Sequence, residues 1–166
     1  MNRMDLSKQR VLVVGAKTHA VQLLRSVLAI GGITKIVHVE DGETALEVLG
    51  MESFQAVFCD CVVTTAGVPF LAAARRSKSV RNPMIAIFLL KDRASRRDVE
   101  VARDSGATDV ITVPISPKTL HAKLEAAVLA PRSFIVAGEF FGPDRRAKLR
   151  PAFGGADRRK PVFRKT

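Results

Sequence analysis

One aspartate interrupts an otherwise apolar run. Val57 to Val63 reads VFCDCVV, with Asp60 its single charged residue. A short apolar run reads as a buried strand, and a carboxylate inside one is costly unless something pairs with it. Cys59 and Cys61 flank it and are the chain's two cysteines. Two residues apart on a strand, they point to one face, where a bridge between them would be strained. No histidine or second cysteine pair stands at ligand spacing, so both read as reduced, buried thiols and no metal is expected on them.

A second group lies near the C-terminus. Phe140–Arg146 is FFGPDRR and Phe153–Arg159 is FGGADRR, the same at five of seven positions at an offset of 13. Arg145, Arg146, Arg158 and Arg159 can each give a guanine the paired hydrogen bonds that arginine gives to G in DNA, or meet a phosphate. Asp144 and Asp157 can accept from the guanine N1–H and amine, and Phe140 and Phe153 offer stacking faces. Two copies suit a ligand with two guanines and two phosphates. His19, His38 and His121 share no spacing. Thr64-Thr65 reads as a turn, and no Gly-rich phosphate loop, Ser/His/Asp set or carboxylate pair appears.

The elements that must position these residues alternate. Val11–Gly15, Lys35–Val39, Ala56–Val62, Met84–Leu90 and Asp109–Val113 read as strands. His19–Ile30, Glu43–Leu49, Pro69–Arg76, Ser95–Asp104 and the segment from Ser116-Pro117 to about Leu129 read as helices. Five such units predict a five-stranded parallel sheet with helices on both faces, a three-layer α/β fold of strand order 2-1-3-4-5. Sites in such sheets lie at the carboxyl ends of the strands, where Asp60 falls.

The chain has 166 residues, 47% hydrophobic, and a formal charge of +11. Residues 132–166 hold ten Lys/Arg against three acids, a net +7. Residues 1–130 are therefore expected to form the domain. Residues 131–166, with five of the nine Phe and no periodic apolar spacing, are expected to be an extended arginine-rich tail, disordered without its ligand. No apolar run reaches the ~18–20 residues of a membrane span, and the N-terminus lacks a secretory segment, so a cytoplasmic location is expected.

Residues of about 10–130 resemble the CheY-like receiver domain of response regulators, a flavodoxin-like fold. QAVFCDCVV is similar to the strand that carries the phospho-accepting aspartate, NPMIAIFLL to the fourth strand, and GATDVITVPIS to the Gly-Ala-Asp-Asp…Lys-Pro-Phe region. The resemblance implies that Asp60 is the acceptor of a phosphoryl group from a histidine kinase, with Mg²⁺ held partly by two acids after strand one. Gly15-Ala16 stands there instead, followed by Lys17. The lysine before the strand-five proline is replaced by Val113, the hydroxyl at the end of strand four by Phe88-Leu89, and the strand-five aromatic by Val110-Ile111. The departures imply a degenerate receiver without its Mg²⁺ site or other cofactor. It would not be an enzyme, and would signal by binding a partner protein. Asp60 would be paired with a backbone N–H or with Lys17. The tail resembles the arginine-rich extensions by which some CheY-like proteins bind cyclic di-GMP. Two alternatives stand beside this reading: a phosphorylatable single-domain regulator using Asp60, and a protein whose basic tail binds nucleic acid.

Overall fold

The computed structural model describes residues 6–15, 18–60, 69–144 and 160–162. After a short turn at Leu6–Lys8, strands and helices alternate. They run β1 (Arg10–Val14), α1 (His19–Ile30), β2 (Lys35–Val39), α2 (Gly42–Met51), β3 (Ala56–Cys59) and α3 (Phe70–Arg76). The series continues with β4 (Ala86–Lys91), α4 (Arg96–Asp104), β5 (Asp109–Thr112) and α5 (Pro117–Leu129). The five strands form one parallel sheet in the order β2-β1-β3-β4-β5, as the sequence predicts.

Helices cover both faces, which is why β1, β3 and β4 are apolar almost throughout rather than alternating. On one face Leu12, Val14, Val57, Cys59, Ile87 and Leu89 pack beneath residues of α2, α3 and α4 such as Ala45, Leu49, Phe70 and Ala102. On the other, Val11, Val13, Phe58, Phe88 and Leu90 pack beneath Val21, Leu24 and Leu28 of α1 and Leu120 and Leu124 of α5. Side-chain alternation along β3 puts Asp60 on the side of Phe58, facing α1 and α5.

The helices start where side chains satisfy their first N–H groups. Thr18, Asp41, Ser95 and Ser116 each accept from the backbone three residues on. Ser95 and Asp98 close a reciprocal capping box. These hydrogen bonds hold the carboxyls of Asp41 and Asp98 below the usual carboxylate range.

Two expectations are corrected. Strand four runs on to Lys91. Phe88 and Leu89 are therefore buried core residues rather than a strand end, with Phe88 stacked on Phe58 at 5.0 Å between ring centroids. Nor is the chain after residue 130 extended throughout. Phe134–Ala137 (β6) and Phe140–Pro143 (β7) form an antiparallel hairpin across Gly138-Glu139, and Lys160–Val162 (β8) pairs with the other edge of β6. Phe134 is buried and its ring is tilted against Phe141 at 5.6 Å. Tertiary contact, not periodicity, orders this segment.

Candidate functional site

Asp60 sits at the carboxyl edge of the sheet, one residue past β3. Its N–H still donates to Val14 O at 3.1 Å, so its backbone is held by β1. The half-buried carboxylate forms part of the wall of a cleft of about 590 Å³. The start of α1 supplies Thr18, His19 and Leu23, the end of β4 supplies Leu90, Lys91 and Asp92, and the turn after β5 supplies Val113 and Pro114.

The carboxylate is sparsely partnered among the described residues. Thr18 Oγ1 donates to Oδ2 at 3.4 Å, a long bond, while the same oxygen accepts from Val21 N at 3.3 Å as the α1 cap. Burial pushes the Asp60 carboxyl up from its ordinary value, and Asp92 adds to this; the Thr18 hydrogen bond and nearby His38 oppose it.

Gly15 completes the site. Its N–H donates to Val39 O at 2.9 Å and its carbonyl is bonded to His38 Nε2, also at 2.9 Å. Its φ is +145°, a conformation side chains disfavour. A Cβ built there would land within the carboxyl group of Asp60.

Mg²⁺ asks for near-octahedral oxygen, usually with more than one carboxylate. Gly15 brings none, and no group of three or more His, Cys, Asp or Glu gathers for a metal among the described residues. The described donor set does not fit the ion. Ala16, Lys17, Cys61, Val62 and Thr64-Thr65 lie outside the described residues, and the pairing of Lys17 with Asp60 is left with them.

Sequence reasoning missed four cleft neighbours. His19 and His38, far apart in the chain, both come to this end of the sheet, while His121 lies apart on α5 facing Glu125. Lys91 and Asp92 reach the cleft because β4, Ala86–Lys91, ends one residue past the apolar run Met84–Leu90.

The tail residues separate. Asp144 is buried, with its N–H donating to Ser133 O at 2.7 Å. Phe140 is half-buried in a pocket of about 210 Å³ between the hairpin, α3 and the end of α4. Arg145, Arg146, Phe153, Asp157, Arg158 and Arg159 lie outside the described residues.

A parallel 2-1-3-4-5 sheet with a carboxylate at the carboxyl end of its central strand is the arrangement expected of a receiver domain. Residues 11–125 match the family described as response regulator receiver domain, and the chain belongs to that family. A curated relative, the hybrid signal transduction histidine kinase I of Dictyostelium discoideum, is 27% identical over 119 residues. That match covers 68% of this chain but only 7% of the relative. Among solved structures, the receiver domain of a sensor histidine kinase from Pseudomonas aeruginosa, with magnesium coordinated in its active-site cleft, aligns with a TM-score of 0.61 at 20% identity. That alignment covers 74% of this chain and 98% of the other. A response regulator from Desulfuromonas acetoxidans aligns with a TM-score of 0.62 at 17% identity, over 73% and 97%. No helix among the described residues is long and apolar enough to cross a membrane.

Proposed function

We propose that this receiver domain is a pseudo-receiver, acting in signalling by binding a partner protein rather than by cycling a phosphoryl group on Asp60. The observation that carries this reading is the Asp60 carboxyl group over the α-carbon of Gly15, at the place where the family holds the first of its metal-binding acids. In its present position Asp60 leaves that acid no room. Val113 before Pro114 gives no cation to a phosphate, and Leu90, Lys91 and Asp92 bring no hydroxyl to the cleft. Without a divalent ion the charge developing during phosphoryl transfer has little to neutralise it. The test is incubation of the whole chain with acetyl phosphate and Mg²⁺, followed by mass spectrometry. No acyl phosphate on Asp60 is expected. Rapid formation of an adduct that is lost in Asp60→Asn would overturn the reading in favour of a phosphorylatable regulator served by a histidine kinase.

A second reading concerns the tail, and the repeated Phe-x-Gly-x-Asp-Arg-Arg pattern favours it. The basic segment takes an anionic ligand, cyclic di-GMP being the candidate that its arginines, aspartates and phenylalanines suit chemically. Asp144 is buried, so this reading rests guanine recognition mainly on Asp157, Arg158 and Arg159. Calorimetry of the whole chain against cyclic di-GMP, GTP and a random DNA duplex tests it. Saturable binding to cyclic di-GMP alone is expected; equal binding to all three would assign the tail to nucleic acid or to charge alone.

A further inference from the structure

Arg75, in the last turn of α3, is 3% exposed, and among the described residues its guanidinium is held by backbone carbonyls. Nε and Nη2 both donate to Gly106 O, at 3.0 and 2.9 Å, and Nη1 donates to Pro83 O at 2.7 Å and Ile85 O at 2.6 Å. Burial lowers its pKa to about 9, which leaves it charged at neutral pH. A cation so placed is tolerated because carbonyl dipoles surround it, one of them just past the negative end of α4.

Gly106 closes α4 in a Schellman motif. Its N–H donates to Arg103 O and the Ala107 N–H to Ala102 O, with Gly106 at φ +94°. The open face of the guanidinium is covered from the hairpin, where the Phe134 ring lies 5.0 Å from Arg75 Cζ. The hairpin backbone also rests on this turn. A Cβ on Gly106 would stand 3.2 Å from Phe141 O, and one on Gly142 would stand 3.1 Å from Gly106 Cα. Arg76 donates to Glu139 O.

Along β6 burial falls from Phe134 outward, leaving Val136 and Ala137 exposed, while Gly142 and Pro143 at the end of β7 are buried. Segments with little buried apolar contact open below the global unfolding free energy. We propose that Phe134–Pro143, carrying the Lys160–Val162 strand paired to β6, is a clasp that seats on Arg75 and the Gly106 turn and opens as a unit without unfolding the five-stranded sheet. Opening uncovers a buried cation and loosens the turn from α4 into β5. This happens at the end of β4 and β5 opposite Asp60. A partner that captures the released hairpin would loosen the turn to the same degree, since coupling between two sites is reciprocal.

Native-state hydrogen exchange on the full chain tests this. In Phe134→Ala, amides of 134–143 and of 105–108 should exchange faster together, by about tenfold or more, while those of β1 and β3 keep their protection. On an Arg75→Met background, which removes the cation that the ring covers, Phe134→Ala should add little at 105–108. If Arg75→Met does not fold, Arg75→Gln, which removes the charge and keeps hydrogen-bond donors, takes its place with the same expectation. Faster exchange confined to the hairpin, a rise spread evenly over the sheet, or fully additive effects at 105–108 would each overturn the clasp.

Discussion

The carboxyl group of Asp60 occupies the space that a side chain on Gly15 would need. The two residues close one contact between β1 and β3, and each constrains what the other can be. Gly15→Ala meets both a collision and a φ of +145°, so a loss of about 1–3 kcal/mol is expected. Asp60→Gly in the same chain relieves the collision but not the backbone conformation. Urea unfolding of the wild type, both single variants and the double variant should give a coupling of more than about 0.5 kcal/mol. Strictly additive losses would mean that the two residues do not meet.

Asp60 also has a pH signature. Burial raises its carboxyl pKa, so the folded chain binds this proton more readily than the unfolded chain does. Stability attached to Asp60 is therefore full at low pH and is lost as pH rises through the interval from the ordinary carboxylate value to the raised one. Above that interval the charged form costs stability. Asp60→Asn should melt higher than the wild type at pH 7, with the difference shrinking as pH falls through the interval. A variant that melts lower at pH 7 would show that the charge is satisfied in the folded chain.

Phe88 lies in the middle of β4, fully buried and stacked on Phe58 between α1 and α5. Phe88→Ala is expected to cost about 3–5 kcal/mol, the range for emptying a large aromatic site in a close-packed core. Denaturant unfolding measures it. A loss under about 1 kcal/mol would place Phe88 at the frayed strand end that the sequence suggests.

That contrast shows where the sequence was legible. Val11–Val14 and Val57–Cys59 are apolar because helices cover both faces of the sheet, so the strands and their order could be read. Ser95 and Ser116 marked helix starts because an unsatisfied helical N–H needs an oxygen there. The end of β4 was misplaced because Lys91 continues the ladder through backbone pairing with Thr112, which hydropathy does not register. Gly138-Glu139 between two apolar stretches is a recognisable hairpin turn. It was obscured by the surrounding charge and by the partner that orders the hairpin, Arg75, which lies some sixty residues away. The cleft itself was half visible. Asp60 and Gly15 stood out by type, whereas His19, His38, Lys91 and Asp92 converge only through the parallel topology.

A substitution at Asp157 tests the proposed guanine recognition by the tail. Asp144 is buried beside the hairpin, so a substitution there reports on the fold as well as on a ligand. Asp157→Asn removes one negative charge from a segment of net charge +7. A site working by charge alone should then hold every polyanion more tightly, with a steeper salt dependence, because cationic contacts release counterions. A site that reads guanine should lose affinity for cyclic di-GMP, since an amide oxygen replaces a carboxylate that can accept from both the ring N–H and the amine. Loss of a charged hydrogen-bonding partner costs about 1.5–3 kcal/mol, roughly 10–150-fold in affinity. The expected outcome is weaker binding of cyclic di-GMP with DNA binding unchanged or tighter, measured by calorimetry of the full chain at two salt concentrations. Tighter binding of both ligands would remove guanine recognition from the tail and leave a cationic segment that holds anions by charge.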